Sequence, residues 1–281
     1  MKTLFIHDHD VTEIPDGGAQ QTTAELIRRC PYDIDLALPA TIDGFDLEAF
    51  DLLIVSNCKF FSRPQLERIL AHRCFIKHER DYYNLVHDDH VDIRKAMFEK
   101  ARAAVFLSPG HAMQFQAEHP DIDWSGVNLA VSPPPVDPAK FNPWGSRRRP
   151  VYAFTAALHQ HKGVDNFVNM ARLNPGMKFE AYGRGPLRPQ LEEVDNIEYK
   201  GTIPFEDMPD LFNEVAGFVH LPNWLEPYGR AAAEARLCGC EVVVNDRVGA
   251  ATFPWFWDYP VLMVKMLKAA GDFWKNAGGL V

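Results

Sequence analysis

Short apolar runs alternate along the chain with segments whose apolar residues recur at helical spacing. Leu4 to His7, Ile34 to Leu38, Leu52 to Ser56, Cys74 to Lys77, Ala104 to Ser108 and Val127 to Val131 have strand length, while Gln20 to Arg29, Pro64 to Ala71 and Ile93 to Ala101 carry the helical spacing. A strand-helix alternation of this kind predicts a parallel sheet. Proline, glycine and charge then take over at Ser132-Pro133-Pro134-Pro135-Val136-Asp137-Pro138 and at Asn142 to Pro150, which predicts a linker. The alternation restarts beyond it. Strands are expected at Val151 to Ala156, Lys178 to Tyr182, Ile197 to Lys200, Gly217 to His220 and Glu241 to Asn245. Helices are expected at Val164 to Leu173, Met208 to Asn213 and Arg230 to Cys238. The expectation is an α/β protein of two Rossmann-like domains, 1–140 and 141–260, with a C-terminal helical segment, 261–281, packing back on the first. Open parallel sheets bind ligands at the carboxyl ends of their strands, so motifs on strand-to-helix turns, facing a cleft between the domains, are the ones to weigh.

Composition narrows the function classes. The 281 residues are 47% hydrophobic and 24% charged, an ordinary globular balance. A formal charge of -9 and a pI near 5.6 make the surface repel phosphate backbones, which argues against nucleic acid as a partner. The five cysteines form no CxxC pair, which suits a reducing cytosol. The first apolar run is cut short by His7, Asp8, His9 and Asp10, so it reads as a strand rather than a secretory leader. No run approaches the ~18 apolar residues of a membrane span. A cytoplasmic protein is expected, with peripheral membrane contact left open by the aromatic cluster Phe253, Trp255, Phe256 and Trp257; packing of the tail is the blander reading of the same residues. The sequence leaves the oligomeric state open.

The richest chemistry lies in Trp224-Leu225-Glu226-Pro227-Tyr228-Gly229-Arg230, followed by Glu234 and by Cys238-Gly239-Cys240-Glu241-Val242-Val243. A helix beginning near Gly229 would point its free N–H groups at an anion, and the glycine would let that anion approach closely. Glu226 and Glu234 bracket this turn, and carboxylates accept sugar hydroxyls in pairs. Taken alone, the pair would equally suit a surface helix with ordinary acidic residues. Lys162, in His161-Lys162-Gly163, has the charge to neutralise a diphosphate leaving group as the glycosidic bond breaks. Upstream, Asp16-Gly17-Gly18-Ala19-Gln20 offers a glycine turn that serves either as a phosphate cradle or as a plain strand-to-helix connection.

The stretch from Glu226 to Val243 resembles the signature of glycosyltransferase family 4, in which Glu-Pro-Phe/Tyr-Gly precedes a second glutamate after seven intervening residues. Three further segments are similar to that family in order: Pro135 to Pro143, the Lys162-Gly163 pair, and Tyr182-Gly183-Arg184-Gly185-Pro186. Gly201-Thr202-Ile203-Pro204 matches the family loop that borders the nucleobase. The resemblance covers about residues 127–250 well and the first domain weakly, and the chain is short for a member.

The resemblance implies a glycosyltransferase B fold. It also implies metal-independent, retaining transfer of a sugar from a UDP- or GDP-sugar to a glycan, lipid-linked or small-molecule acceptor, with no obligatory cofactor. It assigns catalysis to His78, Lys162 and Glu226. Donor binding falls to Gly17, Gly18, Lys162, Gly183, Arg184, Ile203, Glu226, Pro227, Tyr228, Gly229, Arg230 and Glu234. Beside His78, the polar run Arg80-Asp81 suits either acceptor contacts or a surface ion-pair cluster, and His111 is a weaker alternative to His78. Asp8-His9-Asp10 and Asp33-Ile34-Asp35 mimic a metal-binding DxD but lack its context, so no metal site is expected. The sequence departs from the family at Ala157, where an arginine usually stands five residues before the lysine; Arg184, Arg230 and Arg247 are the candidate replacements. A sugar-nucleotide epimerase and a relative that binds without turnover are the alternatives.

Overall fold

The computed structural model describes residues 1–11, 17–81, 89–145 and 147–281; Asp16 of the glycine turn, Tyr82 and Ser146 lie outside the described residues. The chain forms two compact units, Met1–Pro135 with Lys268–Val281, and Val136–Leu267. The division falls inside the proline-rich stretch.

In the first unit β1 (Lys2–Ile6), β2 (Asp33–Ala37), β3 (Leu52–Ser56), β4 (Phe75–His78), β5 (Ala103–Phe106) and β6 (Leu129–Val131) make one sheet in the order β2-β1-β3-β4-β5-β6, every pair parallel. Alternate side chains of β1 and β3 feed opposite cores. Leu4, Ile6, Leu53 and Val55 enter one cluster; Phe5, Leu52 and Ile54 enter the other. Between the strands run α1 (Gly18–Arg28), α2 (Arg63–Ala71), α3 (Val91–Lys100) and α4 (Pro109–Glu118). The last of these is absent from the elements expected above, where the strand was carried on to Ser108. The strand stops earlier because Ser108 is a helix N-cap: its Oγ accepts from His111 N at 3.0 Å, and Pro109 takes the first helical position, where its missing N–H costs nothing.

The second unit repeats the plan with β7 (Arg149–Thr155), α5 (Val164–Leu173), β8 (Lys178–Tyr182), α6 (Arg188–Glu192), β9 (Ile197–Gly201), α7 (Met208–Glu214), β10 (Val215–His220), α8 (Arg230–Leu237) and β11 (Glu241–Val244). Its parallel sheet has the order β11-β10-β7-β8-β9. Part of the expected linker is therefore structure, because Arg149 and Pro150 open β7. A proline is tolerated at a strand's start, where fewer ladder bonds are at stake. Arg148 also has a structural task, donating to the carbonyls of Phe212, Val215 and Cys238 near the ends of α7 and α8.

A last helix, α9 (Tyr259–Gly278), begins in the second unit and ends in the first. Its Ala270, Phe273, Trp274 and Ala277 lie in the same core cluster as Phe5, Leu52 and Ile54, and Trp274 Nε1 donates to Leu26 O at 2.8 Å. All five cysteines are free thiols.

Candidate active site

Each sheet has one place where the strand order reverses. In the second unit the chain runs β7, β8, β9 on one side and then returns to lay β10 on the other side of β7. The crevice beyond the carboxyl ends of β7 and β10 is thus the switch point, where open α/β sheets take their ligands. Lys162 follows β7 and Glu226 follows β10, and they meet: Lys162 Nζ donates to Glu226 Oε2 at 2.6 Å.

Local geometry fixes both groups. Gly163 closes the short turn Gln160–Lys162 in the left-handed region (φ 77°), and a Cβ there would lie 1.8 Å from Leu221 O, so β7's exit packs directly on the backbone leaving β10. Asn166 Nδ2 donates to Leu221 O and Asn223 Oδ1, both at 2.8 Å, and Asn223 Nδ2 donates to Gln160 O at 2.8 Å. On the other side, Glu226 N donates to Arg247 O at 2.8 Å and Gly249 N to Glu226 O at 2.9 Å. These bonds hold the glutamate's main chain as a bridge beside Val248. Gly229, also left-handed (φ 79°), caps α8; a Cβ there would come 2.7 Å from Val248 Cγ1.

His220, the last residue of β10, completes the group and is absent from the residues expected above. Its Nε2 lies 3.6 Å from Glu226 Oε2, its side chain is 6% exposed, and its Nδ1 has no hydrogen-bond partner among the described residues. Its position at the carboxyl end of a strand was the available signal. Burial alone would raise the Glu226 carboxyl; the Lys162 ammonium and the His220 imidazole outweigh it and hold the group well below the usual carboxylate range.

One helical turn further, Arg230 Nε donates to Glu234 Oε1 at 2.7 Å, with the carboxylate side chain only 3% exposed. Burial pushes the Glu234 carboxyl up and Arg230 opposes the shift. The loop after β9 adjoins this pair: half-buried Ile203 precedes Phe205, whose ring lies 5.9 Å from the Arg230 guanidinium and 4.0 Å from Lys140 Nζ. Leu158 N donates to Arg184 O at 2.9 Å, which sets exposed Arg184 beside Ala157, and Gly183 N bonds Gly201 O at 2.7 Å. Pro227 is half-buried in the turn. Tyr228 instead packs inward, its hydroxyl 3.4 Å from Met266 Sδ. Arg247 is committed to the carbonyl of Asn223.

The remaining residues form a second group in the first unit. Gly17 caps α1 and Gly18 opens it. Arg80, itself 5% exposed, joins that helix start to the end of β4: its Nη1 donates to Ala19 O at 2.8 Å and to Thr23 Oγ1, and its Nη2 faces His78 Nδ1 at 3.2 Å. Arg80 is thus an internal brace, in place of the acceptor contact expected of it. His78 is 1% exposed, its ring lies against Phe273, and its Nε2 has no hydrogen-bond partner among the described residues. Burial, with the nearby Arg80 and Lys77 charges, lowers the His78 imidazole well below its usual range. Burial takes His111 down to about 4 and His7 to about 3. Among the described residues no group of three or more His, Cys, Asp or Glu side chains is placed to hold a metal.

No protein-family model matches the chain. An uncharacterised 42.6 kDa protein of the cps region of Klebsiella pneumoniae is 36% identical over 104 residues; the match takes in 35% of this chain and spans about a quarter, 26%, of that protein. Solved structures match far more widely. Anabaena HepE, in complex with UDP and glucose, is similar with a TM-score of 0.66 at 14% identity, over 99% of this chain and 95% of that one. Sucrose-phosphate synthase from Thermosynechococcus elongatus gives 0.71 at 14% identity, over 99% and 93%. AviGT4, a glycosyltransferase involved in avilamycin A biosynthesis, gives 0.64 at 15% identity, over 100% and 93%. Two parallel-sheet Rossmann-like units in one chain, matched end to end by these structures, identify the fold as that of the GT-B glycosyltransferases.

Proposed function

We propose that this protein is a nucleotide-sugar-dependent glycosyltransferase that retains anomeric configuration. The observation that carries the reading is the Lys162–Glu226 pair at the β7/β10 switch point, a cation and a carboxylate on the two loops that flank the expected ligand crevice. A diphosphate needs the first and sugar hydroxyls need the second. In this reading Lys162, with the start of α8 at Gly229, meets the phosphates, Glu226 meets the donor sugar, and Glu234 meets the ribose while Arg230 shares its charge. The loop of Ile203 borders the base.

The bond between the sugar's anomeric carbon and the diphosphate oxygen breaks, and its electron pair leaves with the nucleoside diphosphate. The acceptor oxygen forms its bond on the same face, and its proton passes to the departing phosphate oxygen. A developing negative charge on that oxygen is what a fixed ammonium stabilises. No carboxylate nucleophile is required, in contrast to glycoside hydrolysis by two carboxylates. We assign His78, at the end of β4 and one strand from the first unit's β1/β3 switch point, a catalytic role.

HepE has been solved with UDP and with UDP-glucose, which supports a uridine donor over a guanosine one. The named structural neighbours are glycosyltransferases, which favours transfer over epimerisation. The test is a thermal-shift panel of UDP, GDP, ADP, TDP and their sugar conjugates. A shift selective for one base in the wild type, lost in Glu234→Ala, supports the reading; no shift with any nucleotide overturns it.

A further inference from the structure

Five large apolar side chains are exposed close together in sequence at the end of the second unit: Trp257 (49%), Val261 (38%), Met263 (40%), Val264 (44%) and Leu267 (60%). Four of them lie on α9, where Val261, Val264 and Leu267 lie opposite the buried Leu262 and Met266 and Met263 borders the two sides. At 100° per residue, Val261, Val264, Leu267 and Lys268 fall on one stripe of the helix. Soluble proteins expose single apolar residues freely, but a contiguous stripe marks a surface that meets something. Trp257 is anchored at its start: Arg236 donates to the carbonyls of Phe256 and Trp257, and its guanidinium lies 5.7 Å from the Trp257 ring.

Charge indicates what that surface meets. The protein carries -9 overall, yet the charged residues of α9 are Lys265, Lys268, Lys275 and a lone Asp272, all exposed, so that with exposed Asp258 just before the helix the Trp257–Lys275 segment carries three lysines against two aspartates. Lysines flanking an apolar stripe reach past it with their alkyl stems and hold their ammonium groups at the level of lipid phosphates, while tryptophan prefers the same interface. No helix among the described residues is long and apolar enough to cross a membrane, so contact through α9 would be in the plane of the surface.

We propose that the Trp257–Lys268 face is a docking surface for an anionic lipid bilayer. It stands apart from the donor site in sequence and does not depend on that reading.

The experiment is co-sedimentation of the full chain with vesicles of phosphatidylcholine alone and with about 30% phosphatidylglycerol, an anionic lipid. Three proteins are compared: wild type, V264E/L267E and K265Q/K268Q. The wild type is expected to pellet with anionic and not neutral vesicles. K265Q/K268Q is expected to lose about tenfold or more in partitioning, since each surface lysine contributes about 1 kcal/mol near anionic lipid, and V264E/L267E at least as much because it removes buried apolar area and adds two negative charges. Val264, Lys265, Leu267 and Lys268 are all solvent-facing, and thermal unfolding matched to wild type is the check that each variant folds. Equal pelleting by the three proteins, or none by any of them, overturns the proposal. So does a dimer seen by light scattering that V264E/L267E dissolves with no vesicle binding, which would assign the face to a second copy.

Discussion

Lys162 Nζ lies 2.6 Å from Glu226 Oε2, joining the loop that follows β7 to the loop that follows β10. Sixty-four residues separate the two in sequence, so the pair also ties the unit's first strand exit to its fourth. Its contribution to stability is pH-dependent with a definite sign. Glu226 titrates below its unfolded value, so the folded state binds fewer protons than the unfolded one as pH falls through the carboxylate range. The stabilisation is fully present above about pH 5 and is lost on acidification. Lys162→Met should therefore cost about 1–3 kcal/mol at pH 7 and progressively less toward pH 3, measured by urea unfolding at each pH. A cost that does not change with pH contradicts the assignment.

The buried histidines act in the same direction through a different group. His78 lies well below its usual value, His111 near 4 and His7 near 3, while in the unfolded chain each takes a proton near pH 6.5. The unfolded state binds more protons below that pH, so stability falls as the solution is acidified from 7 to 5. The expected loss is about 2 kcal/mol per histidine over that interval. His111→Phe should flatten the slope by one histidine's share; an unchanged slope would mean that His111 is not buried as a neutral ring.

Gly163 is fixed by backbone geometry. Its φ of 77°, and the 1.8 Å that would separate an added Cβ from Leu221 O, leave no room for a side chain. Gly163→Ala should destabilise by about 2 kcal/mol or more, whereas Gly176→Ala, with nothing within 4 Å of its added carbon, should fall within about 0.5 kcal/mol of wild type. Thermal unfolding of the two variants side by side checks the difference.

Arg184 is the cation that the fold sets beside Ala157, by the Leu158 N to Arg184 O bond, while Arg247 is held on Asn223 and Arg230 on Glu234. If Arg184 supplies the second phosphate contact, Arg184→Glu weakens UDP binding about tenfold or more, and Arg247→Glu changes it much less. Equal effects of the two, read by calorimetric titration, would leave only long-range charge as the cause.

The two-unit α/β fold was readable in the sequence because buried parallel strands need apolar runs separated by helices, and both patterns survive without tertiary information. Lys162 and Glu226 stood out because the segments that carry them resemble a family signature in order and spacing; taken alone, either residue equally suits a solvated helix start. His220 did not stand out: a histidine ending an apolar strand looks like core until β10 is seen to lie against β7. Arg80 failed in the opposite way. Its charge suggested an exposed contact, but pairing with Ala19, Thr23 and His78 makes it internal, a fact fixed largely by residues about sixty positions away. The α4 helix was lost for want of a recognised Ser-Pro start.

The most direct measurement is calorimetric titration of UDP into wild type, Lys162→Met and Glu226→Gln. Lys162→Met is expected to bind UDP about tenfold or more weakly because the phosphate cation is gone, while Glu226→Gln keeps UDP affinity and loses the added affinity that UDP-glucose has over UDP. Equal UDP affinity in wild type and Lys162→Met would contradict that role of Lys162.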